Sequence, residues 1–189
     1  VQSQLKALNY DFDKGYYLYV LGYIGKIDRM HDTDSLDFPV YKTLKLLYKY
    51  GNGVPILIKP HINTDVTFLY KIIEKYNYDN VHITYLHPAA LSVNAKLVIS
   101  NCFSNTQADA DFFGAPTVEF TYYSEAALKA TNGESENPIY IKYFVNNDTE
   151  KFKNIIKNSI TLKVNNKVKN IYEDDKASSV VTKFFQENL

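Results

Sequence analysis

Six short, largely apolar runs alternate with helical or polar segments along the chain, and this alternation narrows the fold more than anything else. The runs are YYLYVLGYIG, VPILIKPH, VHITYL, KLVIS, PTVEF and PIYIKYFV. Strands with so few charges suit a parallel sheet covered on both faces; a sheet with one wet face would alternate strictly between apolar and polar. Between the runs, Tyr41, Leu44, Leu47 and Tyr48 recur at helical spacing until Gly51-Asn-Gly53 stops them. Val66, Leu69, Tyr70 and Ile73 do the same after Asn63 or Thr64, either of which can cap a helix. A short helical turn is expected over residues 88–94, and helices over 106–113, 124–131, 149–160 and 177–188. Gly114 should close the helix that ends at 113. The prediction is a single α/β domain over residues 1–189, doubly wound, with a mostly parallel, Rossmann-like sheet and helices on both faces.

In such sheets a ligand sits beyond the carboxyl ends of the strands, near a switch in strand order. The residues expected there are Gly22 and Gly25 after the first strand, Lys59 and His61 after the second, and Leu86 to Pro88, including His87, after the third. After the fourth come Ser104, Asn105 and Thr106, and after the fifth Glu119. Ser-Asn-Thr before a helix offers short donors beside unpaired amides, a seat for phosphate. Asp109, about one turn further on, can accept hydrogen bonds from a ribose diol. The same residues have a plainer reading: Ser104 to Thr106 as an N-cap, Asp109 and Asp111 as complements of the helix dipole, and Gly22 and Gly25 as turn formers. Lys59-Pro60-His61 likewise reads as a strand exit set by proline. His82, inside a strand, reads as a packed histidine, and His31 among Asp28, Asp32 and Asp34 as a solvated loop residue with no distinctive metal spacing.

Composition removes several function classes. With 21 basic and 21 acidic residues the chain has no overall basic footprint for nucleic acid. Cys102 is the single cysteine, which excludes an internal disulfide and argues against a cysteine-based zinc site. No apolar run approaches the roughly 20 residues of a membrane span, and no signal pattern opens the sequence. The expected setting is cytoplasmic.

As an ordered set, KPH after a strand, then NAKLVIS, then SNTQADADFFGAPTVEF resembles the C-terminal lobe of GT-B glycosyltransferases. The enzymes most similar are those of surface-carbohydrate and capsule synthesis; CDP-glycerol glycerophosphotransferases and UDP-N-acetylglucosamine 2-epimerases are more distant. The resemblance runs from about Tyr16 to Tyr123 and implies a nucleotide-sugar donor lobe. In it Ser104, Asn105 and Thr106 match the Ser-rich turn that holds the diphosphate, Asp109 the ribose carboxylate, and Gly114 to Pro116 the Gly-x-Pro. Lys59 and His61 match the basic strand exit, and the backbone around His87 would meet the base. Asn105 and Thr106 stand where the epimerases carry glycines, which weighs against epimerase chemistry.

The resemblance also implies a second, N-terminal lobe holding the acceptor and the catalytic base. The chain is thus expected to be a fragment or one lobe of a larger enzyme, with residues 2–14 a remnant of the connection. No cofactor or metal is expected, the nucleotide sugar being substrate, and any peripheral membrane association is expected only through parts outside this chain. The alternatives are a noncatalytic α/β interaction module and a sugar-nucleotide epimerase.

Overall fold

The computed structural model describes residues 14–22 and 37–162. The expectations for Gly25, for the loop with Asp28, His31, Asp32 and Asp34, for residues 2–13, for the polar connector after 162 and for the helix over 177–188 lie outside the described residues.

Among the described residues six strands form one sheet: β1 (Tyr16–Val20), β2 (Ile56–Lys59), β3 (Val81–Ile83), β4 (Ala95–Ser100), β5 (Thr117–Thr121) and β6 (Tyr143–Asn146). Their order is β3-β2-β1-β4-β5-β6, and every neighbouring pair is parallel. The helices are α1 (Asp37–Tyr50), α2 (Thr67–Tyr76), α3 (Pro88–Ser92), α4 (Thr106–Phe112), α5 (Glu125–Ala130) and α6 (Thr149–Ser159). This is the doubly wound α/β fold that the uncharged strands require.

Alternate residues of each strand feed two cores. On the first face Tyr17, Tyr19, Ile58, Ile99 and Phe120 meet Leu44 and Leu47 of α1, Leu69 and Ile72 of α2, and Phe152 and Ile156 of α6. Phe120 and Phe152 stack there with centroids 4.1 Å apart. On the second face Tyr16, Leu18, Val20, Leu57 and Val98 meet Leu91 of α3 and Ala110 of α4. Tyrosine suits such a core only when its hydroxyl finds a partner. Tyr16 donates to the carbonyl of Leu91 at 2.5 Å, and Tyr17 to that of Ile156 at 3.4 Å.

Local chemistry departs from expectation at two ends. The α2 helix begins at Thr67, not after Asn63 or Thr64; the Thr64 amide donates to the His61 carbonyl at 2.9 Å in a turn that precedes the helix. Asp65 holds the start of the helix instead, its carboxylate accepting from Thr67 N at 2.9 Å and from Thr67 Oγ1 at 2.6 Å. The run PIYIKYFV is only half strand. Pro138–Tyr140 is a 3₁₀ turn and β6 starts at Tyr143. Proline cannot supply a ladder N–H, and Thr117 Oγ1 donates to the Tyr140 carbonyl at 2.7 Å, fixing the turn against β5. Gly114 closes α4 as expected, in the left-handed region at φ 75°.

Candidate functional site

Strand order reverses between β1 and β4, so the chain leaves these two neighbours in opposite lateral directions. Such a divergence opens a crevice at the carboxyl edge. Gly22 follows β1 there, and a β-carbon placed on it would lie 2.5 Å from Cys102 Sγ. The glycine is needed for close approach. The thiol, fully buried, is a packing residue behind it.

Asn101, the first residue after β4, is completely buried and joins four elements. Its amide nitrogen donates to Thr43 Oγ1 of α1 at 3.0 Å and to the Phe120 carbonyl of β5 at 2.8 Å. Its oxygen accepts from the Tyr19 hydroxyl of β1. A satisfied buried amide of this kind fixes geometry firmly, because each broken bond strands a partner in low dielectric. Sequence reasoning passed over it: an asparagine after a strand reads as loop, and only the strand register reveals three partners around it.

Ser104 to Asp109 open α4 from this edge. The Ser104 amide donates to Gln107 Oε1 at 3.2 Å, and Ser104 Oγ accepts from Thr106 N at 3.4 Å. The first of these is the return bond of a capping box. Gln107, fully buried, also donates to the Val118 carbonyl at 3.4 Å, tying the helix start to β5. Asn105 is exposed, Thr106 is buried, and Asp109 is half-buried in the first turn. The Ser-Asn-Thr turn therefore serves as a cap as well as lying at the crevice.

Lys59 ends β2 and is in register with Val20, which is in register with Ser100, itself in register with Glu119. Paired residues of parallel strands share a face, so Lys59, Ser100 and Glu119 all lie on the α3–α4 side. Strands are about 4.8 Å apart, which puts the Lys59 and Ser100 backbones about 10 Å from each other. Burial pushes the Lys59 amine below its ordinary value, and Lys59 Nζ donates to the Pro60 carbonyl at 3.0 Å. His61 Nδ1 accepts from Asn63 N at 3.2 Å, so a neutral ring carries its proton on Nε2. His87 follows β3, is exposed, and caps α3 by accepting from Ala89 N at 3.3 Å. It stands furthest from the β1–β4 crevice, with β2 and β1 between its strand and β4.

At the other side of the crevice Glu119 is fully buried. It accepts from the Tyr123 hydroxyl at 2.5 Å and from Ser135 Oγ at 2.6 Å. Burial and the neighbouring carboxylate drive the Tyr123 phenol far above its ordinary range. These bonds fasten the loop before the 3₁₀ turn to the sheet edge. Ser100 Oγ, beside Glu119 in register, is buried with no hydrogen-bond partner among the described residues. Gly22, Lys59, His61, Ser104, Asn105, Thr106 and Asp109 lie along one edge, at the exits of β2, β1 and β4, and His87 lies outboard.

Among the described residues no group of three or more His, Cys, Asp or Glu could hold a metal ion. A cavity of about 280 Å³ lies at the opposite, amino-terminal edge, lined by Ala95, Lys96, Thr117 and Lys142 among others.

No protein-family model matches the chain, and no curated protein matches it significantly. Solved structures do. Over 93% of its length the chain is similar to TarM of S. aureus, as a point mutant in complex with fondaparinux, alpha-GlcNAc-glycerol and UDP, at 18% identity and a TM-score of 0.52. A second TarM crystal structure aligns over the same 93%, also at 18% identity, with a TM-score of 0.51. The chain spans only 36% and 35% of those two chains. At this identity the likeness shows the fold: a six-stranded, all-parallel Rossmann-like sheet matching a GT-B glycosyltransferase domain. Among the described residues no helix is long and apolar enough to cross a membrane.

Proposed function

We propose that this chain is the nucleotide-sugar donor-binding lobe of a glycosyltransferase acting in cell-surface polysaccharide biosynthesis. The observation that carries the reading is the position of Gly22, Lys59, Ser104 to Thr106 and Asp109 around the β1–β4 strand reversal. The likeness to TarM, crystallised with UDP, adds support from the fold.

In this reading the diphosphate lies over the backbone at the exit of β1, on the side of Gly22 away from Cys102. The Lys59 ammonium faces it from β2. A half-buried lysine has already lost part of its hydration, so pairing with an anion restores stabilisation that burial removed. Asp109 accepts from the ribose diol, and the chain around His87, the outermost exit, meets the base. As the glycosidic bond breaks, charge grows on the diphosphate, and fixed donors plus one cation stabilise it without reorganising. The acceptor and the base that activates it belong to a second lobe, as expected for a chain covering about a third of TarM.

One observation favours the rival reading of a noncatalytic module: the Ser104 amide and hydroxyl are already engaged in capping α4. Thermal unfolding with UDP, CDP and GDP separates the two. A donor lobe gains stability with at least one nucleotide, by about 2.7 kcal/mol at a concentration 100 times Kd. A noncatalytic module gains none with any of them, up to millimolar nucleotide.

A further inference from the structure

A net charge of zero conceals a partition between the two faces of the sheet. Helices α1, α2 and α6, which with the short α5 cover the first face, carry eight lysines against three acids, and α5 adds one of each. Helices α3 and α4, on the second, carry no lysine and two acids, Asp109 and Asp111. On the first face the acids gather mainly at helix starts. Asp65 accepts from Thr67, Asp148 accepts from Lys151 N, and Glu150 pairs with Lys153 at 2.7 Å. There they complement the helix dipoles. Glu74 lies near the end of α2, and Asp79, beyond that helix, accepts from the Tyr48 hydroxyl at 3.2 Å. The dipole also accounts for Lys49, Lys75 and Lys157 in the last turns, but not for Lys45 and Lys71 in mid-helix.

Aromatic rings interleave with these cations. Tyr41 stacks on Tyr76 at 4.7 Å, Tyr76 on Tyr78 at 5.7 Å, and Tyr48 packs on Tyr78 at 4.6 Å, a ladder that joins α1 to α2. Lys45 lies over Tyr41 at 5.6 Å and Lys75 over Tyr76 at 5.3 Å. A shallow groove of about 380 Å³ runs between the two helices, with Phe38 and Tyr76 exposed in its lining, and Tyr48 and Tyr70 are exposed elsewhere on the same helices. The Tyr41 phenol is lowered first by its hydrogen bond with Tyr76, with smaller contributions from Lys45 and Lys75.

We infer that the layer formed by α2, α1 and α6 is a peripheral docking surface for an anionic lipid bilayer. Charge complementarity names an anion, and three features favour a bilayer over a soluble polyanion. The lysines spread over three adjacent helices, a plane and not a cleft. They are lysines, point charges on flexible stems that suit a diffuse charged surface better than a fixed phosphate geometry. And phenylalanine and tyrosine rings stand among them; such rings gain by settling at headgroup level, where lysine stems lie along the apolar boundary with their ammonium groups in water. Each lysine near an anionic leaflet adds attraction that salt screens. Any membrane contact would then run through these helices and not only through parts outside the chain. The nucleotide site lies at the sheet edge, so this face can be engaged while that edge stays open.

The test is co-sedimentation of the full chain with phosphatidylcholine vesicles and with phosphatidylcholine–phosphatidylglycerol vesicles, at low and high salt. Binding to the anionic vesicles alone, weakened by salt, is expected. The variant Lys45→Gln/Lys71→Gln/Lys75→Gln/Lys157→Gln should bind at least about tenfold more weakly, with its circular dichroism unchanged. Should that variant fail to fold, single substitutions at Lys45 and Lys71 and the pair Phe38→Ser/Tyr70→Ser read the same surface. Equal binding to neutral vesicles, undiminished binding by the variants, or binding to dextran sulfate that matches the anionic vesicles charge for charge would each overturn the inference.

Discussion

Cys102 Sγ occupies the space into which any side chain on Gly22 would have to grow, 2.5 Å from the position of its first carbon. The contact locks the exits of β1 and β4 together at the strand reversal. Gly22→Ala should therefore destabilise the chain by about 1–3 kcal/mol. Adding Cys102→Ala should recover part of that loss, because the sulfur is what obstructs. Urea unfolding of the two single variants and the double variant measures this coupling.

Asn101 holds the same junction through polar bonds. Asn101→Leu leaves Thr43, the Tyr19 hydroxyl and the Phe120 carbonyl short of partners in a buried site. A loss of about 2–4 kcal/mol is expected. Chemical denaturation checks it, and a loss below about 0.5 kcal/mol would mean that the junction is held by packing alone.

Ser104 separates capping from ligand binding. Ser104→Ala should cost about 1 kcal/mol of stability without ligand, the ordinary value of an N-terminal cap. Lys59→Gln should leave stability nearly unchanged, and Lys59→Gln and Asp109→Asn should each weaken nucleotide binding about tenfold. Thermal unfolding with and without nucleotide reads both effects in one series.

His82 gives the chain a pH dependence. Burial lowers its pKa from 6.5, partly opposed by Asp79. The unfolded chain therefore takes up a proton that the folded chain resists, and stability rises with pH across the window from the folded value up to 6.5. The melting temperature should be flat above about pH 7 and fall as pH drops below 6.5. The variant His82→Asn should show a shallower fall. Parallel curves for the two proteins from pH 5 to 8 would remove His82 as the cause.

Much of the fold was legible because strands such as KLVIS and PTVEF carry so little charge that only a doubly covered sheet can hold them. Strand order was not legible. Nothing local in YYLYV says that it lies between β2 and β4, and that placement creates the crevice. Glu119 was expected at the exit of its strand, but Asn101 escaped notice as a site element: in sequence it looks like ordinary polar punctuation, and only register shows it wholly buried among its partners. The start of α2 was misplaced at Asn63 or Thr64 because nothing local separates these two from the neighbouring Asp65, whose carboxylate holds Thr67. The two-faced distribution of lysine was invisible for a simpler reason. A sum of charges carries no direction, and the faces are defined by the sheet.

The most direct test of the donor-lobe account is an amide chemical-shift titration of the full chain with UDP, CDP and GDP. The account predicts that at least one nucleotide moves Gly22, Lys59, Ser104, Asn105, Thr106 and Asp109 together along a single saturating curve, and that Lys59→Gln weakens the curve about tenfold. Unmoved amides at this edge with every nucleotide at millimolar concentration, or shifts confined to the amino-edge cavity around Lys96 and Lys142, would contradict it.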